Sequence, residues 1–253
     1  MNIKHTKNGK NGTEPTIRVD KFLASRGISA RRNITEILQK QVITIHGKRV
    51  KEPGIRFNPE TDELLIDGKE VPAPLYEYIK LYKPKDIIST ASDEFGRKTV
   101  VSLVQSSQRL YPVGRLDQDT TGLLLLTNDG ELANRLTHPR YHISKMYELT
   151  ISGKVSEEKL AKFRRGIRLE DGMTAKAAAK IIREEQNNTI VEVILHEGKK
   201  RQIRRMCEFI RLPLLELKRV KMGPITLGNM KVGEYKKLTD EEIEMLQKEA
   251  YRS

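Results

Sequence analysis

Residues 111–130 read Tyr111-Pro-Val-Gly-Arg-Leu-Asp117-Gln-Asp-Thr-Thr-Gly-Leu123-Leu-Leu-Leu126-Thr-Asn-Asp-Gly130. The leucine run has the composition of a buried strand, and Asp117 stands at its mouth, just after the arginine turn Gly114-Arg115-Leu116. A carboxylate in such a setting stays ionised only when it is paired or hydrogen-bonded, so Asp117 is either a costly accident or a reactive group.

Outward from this strand the pattern is mixed. Asn128-Asp-Gly130 opens a helix through Leu132 and Leu136 that Pro139 closes. Upstream, Tyr78-Ile-Lys-Leu-Tyr82 is strand-like, is punctuated by Lys83-Pro84 and is followed by Ile87-Ile-Ser-Thr90, whereas Thr99–Val104 fits a short helix or a strand equally well. Downstream, Lys145–Ser152 alternates, with Tyr147, Leu149 and Ile151 on one side. Ser156 caps a helix whose buried stripe is Leu160, Phe163 and Ile167. Thr189–Leu195 is a further strand, and Gly198 leads into a basic helix with Ile203, Met206, Cys207 and Ile210 on one face. Strands and helices without regular βαβ alternation predict an α+β domain over residues 76–253, with a mixed, mostly antiparallel sheet flanked by helices.

A smaller domain precedes it over residues 17–70. Val19, Phe22 and Leu23 share one helical face, Gly27 stops that helix, Ser29 is placed to cap the next, and Ile34, Ile37 and Leu38 line its buried side. Val42-Ile-Thr-Ile45 meets a turn at His46-Gly47, and Leu64-Leu-Ile66 meets one at Asp67-Gly68, which predicts short hairpin strands. Val71-Pro-Ala-Pro-Leu75 reads as an extended linker, and the Lys-, Asn- and Gly-rich residues 1–16 as a flexible basic arm.

The 253 residues are long enough for a real hydrophobic core, and the formal charge of +13 favours a polyanionic partner, with nucleic acid as the first candidate. Residues 199–221 carry nine Lys or Arg against only Glu208 and Glu216, which points to a binding face. The lack of a membrane-length apolar run or a signal-peptide core, together with a single cysteine, Cys207, predicts a cytoplasmic protein without an internal disulfide. Cys207 itself reads as a small core residue. His138 and His142 are separated by Pro139 and lack a carboxylate cluster, so no metal site is expected. Asp117 and Asp119, on a strand, would point the same way and leave little room for a sugar between them, which speaks against a two-carboxylate glycosidase.

Two resemblances follow from these segments. Val19-Asp-Lys-Phe-Leu-Ala-Ser-Arg-Gly-Ile-Ser-Ala-Arg-Arg32 with Val42-Ile-Thr-Ile-His-Gly-Lys-Arg-Val50 resembles an S4 RNA-binding domain, which implies RNA contacts from Arg26, Arg31, Arg32, Lys48 and Arg49. The opening stretch resembles pseudouridine synthases of the ribosomal-RNA group named after RsuA, and within it the RluB-type enzymes of the large subunit. Leu81-Tyr-Lys-Pro84, Thr137-His-Pro139, Lys145-Met-Tyr147 and Gly198-Lys-Lys-Arg-Gln-Ile-Arg-Arg-Met206 match in order, so the resemblance covers residues 17–240.

The second resemblance implies isomerisation of a ribosomal-RNA uridine, most closely of the 23S type, by breaking N1–C1′, turning the uracil and rejoining it through C5. The chemistry involves no net redox change or hydrolysis, so no cofactor is expected. Asp117 matches the catalytic carboxylate, Tyr147 the active-site tyrosine and Arg204 the cation that holds Asp117 ionised, with Arg205 or Lys199 as substitutes in that last role. Arg115 matches the residue that fills the stack or clamps the phosphate when the target nucleotide flips out. Lys199, Lys200, Arg201 and Arg205 fall on or before the basic helix and suit backbone phosphates. The partner is then ribosomal RNA or a pre-ribosomal particle, engaged by a monomer, away from membranes. A 16S-directed synthase and a non-catalytic rRNA-binding assembly factor are the competing expectations.

Overall fold

A computed structural model of the chain describes residues 16–252, so the arm expected over 1–16 lies, but for Thr16, outside the described residues. The chain divides into two compact units, one ending at Leu75 and the other starting at Tyr76. Among the described residues no helix is long and apolar enough to cross a membrane.

The first unit runs β1 (Ile17–Arg18), α1 (Val19–Ser25), α2 (Ile34–Lys40), β2 (Ile43–Ile45), β3 (Lys48–Arg49), β4 (Arg56–Phe57), β5 (Leu64–Ile66) and β6 (Lys69–Glu70). The four-stranded sheet has the order β3-β2-β5-β6, while β1 pairs with β4. Its hairpins turn where the sequence signals them, with His46 and Asp67 at φ 48° and 49° ahead of Gly47 and Gly68. Val19, Phe22, Leu23, Ile34, Leu38, Ile43 and Phe57 form one core, and Val71 packs partly against it. Ser29 does not cap the second helix. Ile28 bonds back to Leu23, the chain is still extended at Ala30, and a 3-10 turn over Arg31–Asn33 comes before α2.

The second unit comprises β7 (Tyr78–Lys83), β8 (Tyr111–Pro112), β9 (Thr121–Thr127), α3 (Gly130–Thr137), β10 (Lys145–Ser152), α4 (Glu157–Arg165), β11 (Arg168–Leu169), β12 (Gly172–Met173), β13 (Ala178–Glu184), β14 (Asn188–Leu195), α5 (Gln202–Phe209), β15 (Leu214–Met222), β16 (Ile225–Thr226), β17 (Tyr235–Lys237) and α6 (Asp240–Ala250). Its sheet has the order β13-β14-β10-β15-β9-β7-β17, with β16 on β15 and β8 on β9. Among the described strands only β15 and β9 pair in parallel, at Lys218 with Thr121 and Arg219 with Gly122. The architecture is therefore α+β, with a mixed, mostly antiparallel sheet. Thr99–Val104 resolves into a 3-10 turn over Val101–Leu103, and Ile88 makes only an isolated bridge to Thr99.

Layers cover both faces of this sheet, and that is why the leucine run is uninterrupted. Leu123 and Leu125 pack with Leu132, Leu136 and Leu246 from α3 and α6. Leu124 and Leu126 face the other way, onto Ile79, Leu81, Val100 and Leu116. Beyond the parallel pair, α4 and α5 cover Leu149, Ile151, Val193 and Leu217 with Leu160, Phe163, Met206 and Cys207. Burial pushes the Cys207 thiol up to about 12, against the opposing charge of Arg204. The acidic tail forms α6, whose start is a capping box between Thr239 and Glu242.

Two features hold the loop before β9 in place. The alternation of β7 puts Lys83 on the same buried face as Ile79 and Leu81. Its ammonium donates to the carbonyls of Pro84 (2.9 Å), Gln118 (3.2 Å) and Thr120 (2.9 Å), the last two in the turn that follows Asp117. Burial pulls its pKa down to about 8, against the charges of Asp119, Asp86 and Asp117. At the parallel contact, Gly122 has φ 106°, and a Cβ there would lie 2.2 Å from the carbonyl oxygen of Arg219 and 2.6 Å from its nitrogen.

Gly122→Ala is therefore expected to cost at least about 3 kcal/mol in denaturant unfolding; an unchanged midpoint would show that the two strands can part freely. The folded pKa of Lys83 lies below the ordinary lysine value of 10.5, so above pH 8 the unfolded chain binds more protons than the folded one. Wild-type stability should then rise relative to Lys83→Met between about pH 8 and 10.5, by up to about 3 kcal/mol. A gap that stays constant across that range would remove Lys83 as the titrating group.

Candidate active site

A cleft of about 660 Å³ opens in the second unit between the Asp117 turn and the basic loop before α5. Its volume suits a nucleotide-sized ligand. One wall is Gly114–Asp117 with Thr120, the other is His196–Ile203, and Lys145, Tyr147, Leu217, Arg219 and Met222 form the floor.

Asp117 is fixed through its neighbours. The Ser89 hydroxyl donates to the Leu116 carbonyl (2.8 Å), and the Asp86 amide donates to the Gln118 carbonyl (2.9 Å). The Thr120 amide closes a turn onto the Asp117 carbonyl (3.0 Å). Asp117 and Asp119 thus lie in a turn, ahead of the strand. The Asp117 carboxylate, with 34% of its side chain exposed, faces the cleft.

Asp119 faces α5. Arg201, at the N-cap of α5 with φ 49°, forks onto the Asp119 carboxylate at 3.1 and 3.0 Å. The same guanidinium comes within 3.9 Å of Asp117 Oδ2. Arg204 lies 3.3 Å from Asp119 Oδ2 and donates to the Asp119 carbonyl (2.9 Å) and the Thr120 hydroxyl (3.3 Å). Partial burial acts to raise the Asp119 pKa, but the hydrogen bonds from Arg201 and the charge of Arg204 hold it below the usual carboxylate range.

The ion pair expected between Asp117 and Arg204 is thus corrected. The turn offers α5 the carboxylate and carbonyl of Asp119, and Arg204 is taken up there. The cation drawn up to Asp117 is Arg201, expected from sequence only as a phosphate contact. The expected substitutes are also engaged elsewhere: Arg205 forks onto Asp171 at 2.9 and 3.0 Å, and Lys199 donates to the Met173 carbonyl (2.9 Å). Lys199, Lys200 and Arg201 line the cleft; Arg204 and Arg205 are not among the described residues that do.

Tyr147 is on the floor, half-buried, directly across the antiparallel pair from Arg219. Sequence reasoning missed Lys145 and Arg219 as cleft residues. A signal was present, because alternation puts Lys145 on the same strand face as Tyr147, Leu149 and Ile151, and Arg219 on that of Leu217. Lys83 carries the same signal in β7. Arg115 stands exposed at the rim, with no ion-pair partner among the described residues.

In the first unit, the expected RNA contacts divide. Arg26 lies over the Phe22 ring (4.7 Å) and donates to the Pro72 carbonyl (3.1 Å), and Arg31 is ion-paired with the buried Asp20 (3.0 Å). Arg32, Lys48 and Arg49 are exposed, without an ion-pair partner among the described residues. No metal-binding group of His, Cys, Asp and Glu is present among the described residues.

Residues 77–209 match the family model for RNA pseudouridylate synthase. The chain is 40% identical over 232 residues, 90% of its length and 95% of the relative's, to the ribosomal large subunit pseudouridine synthase B of Bacillus subtilis. It is 38% identical to an uncharacterized RNA pseudouridine synthase of Aquifex aeolicus, covering 91% of this chain and 93% of the other. A crystal structure of a pseudouridylate synthase superposes with a TM-score of 0.65 at 31% identity, covering 91% of this chain and 99% of that one. With the family's match spanning the Asp117 turn, Lys145 and Tyr147 of the cleft floor, and α5, this chain belongs to the RNA pseudouridine synthases, enzymes that isomerise uridine within RNA.

Proposed function

We propose that the protein converts a uridine of large-subunit ribosomal RNA to pseudouridine, with Asp117 as the catalytic carboxylate. One observation carries the assignment: Asp117 is the carboxylate held at the cleft wall by neighbours pinned on both sides, with its own oxygens facing the cleft. The large-subunit address is supported by the relative in Bacillus subtilis, which is named for that substrate and aligns over nearly its whole length.

A flipped uridine enters with its ribose at Asp117 and its base over Tyr147. Asp117 either attacks C1′ or removes the 2′ proton, and in both routes N1–C1′ breaks with the electron pair on the uracil. The base turns on the flat, half-buried face of Tyr147, and C5 bonds to C1′ as the Asp117–C1′ bond breaks or, on the other route, as Asp117 returns the proton to C2′; C5 then loses its proton and N1 gains one. The Arg201 guanidinium, 3.9 Å from Asp117, favours the ionised carboxylate that either route requires. Arg115, free at the rim, is placed to occupy the space the nucleotide leaves. Lys199, Lys200 and Arg201 offer charge to the flanking phosphates. The exposed trio Arg32, Lys48 and Arg49 gives the first unit an RNA-docking face.

Carbodiimide mapping of ribosomal RNA from cells lacking the protein should reveal a missing pseudouridine that wild type restores and Asp117→Asn does not. Restoration by Asp117→Asn would overturn the catalytic assignment. Arg32→Glu with Lys48→Glu and Arg49→Glu should weaken ribosomal-RNA binding at least about tenfold and reduce its salt slope by about 2 to 3. Unchanged binding would reject the docking face.

A further inference from the structure

Two cations on the cleft floor have no role in the scheme above. Arg219 is 2% exposed, its Nε donates to the Leu123 carbonyl (2.8 Å), and its Nη2 is buried without a hydrogen-bond partner. Lys145, two residues before Tyr147 on the same strand face, donates to the Ile143 carbonyl (3.1 Å). Neither forms an ion pair among the described residues, although both line the cleft that holds Asp117. Glu197, the other carboxylate on the cleft wall, is committed to the Ala175 amide (2.8 Å) and the Gln202 side chain (2.5 Å). Burial and the like charge of Arg219 together pull the Lys145 pKa down to about 8. Two desolvated like charges brought together without a counter-anion describe a seat for a negative ligand group.

The position of the seat says which group. Tyr147 and Arg219 are directly opposed across the strands, and a bulge between the pairs Met146–Lys221 and Tyr147–Arg219 keeps Arg219 and Met222 both on the cleft. Cross-strand partners lie about 5 Å apart at Cβ, and residues two apart on a strand about 7 Å, so both cations fall within a base width of the Tyr147 ring. A phosphodiester would stay with the sugar at the Asp117 wall, whereas the base reaches the floor.

We propose that Lys145 and Arg219 hold the uracil as an anion after it leaves C1′. This rests on the isomerase reading and specifies where its charge is stabilised. When N1–C1′ breaks, the electron pair spreads over N1, O2 and O4, and the two cations meet those oxygens while the ring turns. Charge stabilised only after bond cleavage raises the chemical rate and leaves RNA affinity unchanged.

The test is single-turnover conversion of large-subunit ribosomal RNA transcripts made with uridine or with 5-fluorouridine, following loss of the target nucleoside after digestion. Fluorine withdraws electrons, so 5-fluorouracil departs as a better anion and needs less help. Arg219→Gln and Lys145→Met should each slow uridine conversion at saturating RNA by about 100-fold or more, with RNA Kd within about threefold. Their losses on the fluorinated transcript should be at least about tenfold smaller. Lys145→Arg should recover most of the rate. Equal losses on both transcripts would make the pair structural, and a raised Kd at unchanged rate would make it a phosphate seat; either overturns the proposal. Should Arg219→Gln fail to fold, Lys145→Met carries the test, because among the described residues the only hydrogen-bond partner of the Lys145 side chain is a backbone carbonyl. Unimpaired variants beside an active wild type remove this inference alone, whereas a wild type inert on uridine removes the reading beneath it.

Discussion

Two antiparallel halves of the catalytic sheet meet along one short parallel contact, Thr121 and Gly122 against Lys218 and Arg219. Everything assigned to the chemistry is referred to that seam. Asp117 comes from the turn that feeds β9 on one side, and Tyr147 and Lys145 come from β10, next to β15, on the other. The strands approach so closely that only a glycine fits at 122, and the Arg219 side chain crosses back to the Leu123 carbonyl. A shift of the two halves by one residue would carry the carboxylate away from the floor it serves.

Charge is distributed around the seam in three ways. Lys83 is fully buried and surrounded by carbonyls, so its ammonium acts as a peg for the turn. Asp119 is given two arginines: Arg204 is taken up there, while Arg201, forked onto Asp119, reaches Asp117 only at the longer distance of 3.9 Å. A carboxylate locked in a short bidentate pair would be a poor attacking group. The second aspartate explains how a cleft wall so rich in arginine leaves the Asp117 carboxylate partly exposed.

The strands at 78–82, 145–152 and 189–195, the leucine run, the hairpin turns and the amphipathic stripes of α4 and α5 were legible in the sequence as local patterns of apolar spacing and turn residues, whereas β13 and β15 were not picked out. The start of α2 was not, since it depends on Ile28 bonding back to Leu23 and not on the nearest capping side chain. Nor was the partner of Arg204. Spacing along a chain does not say which of two aspartates, two residues apart in a turn, is presented to a helix more than eighty residues later. Lys83, Lys145 and Arg219 lay between these cases: each is a cation on the apolar face of a strand, a pattern that reports burial but not purpose.

Cys207, the sole thiol, is 1% exposed on the buried face of α5, and burial holds it protonated far above neutral pH. Thiol-directed reagents therefore find no reactive native target in the folded protein. The unaltered chain is already a silent background for attaching a single dye or spin label through an introduced cysteine, at the rim beside Arg115 or on the small unit. RNA arrival at each could then be timed without first removing a core residue.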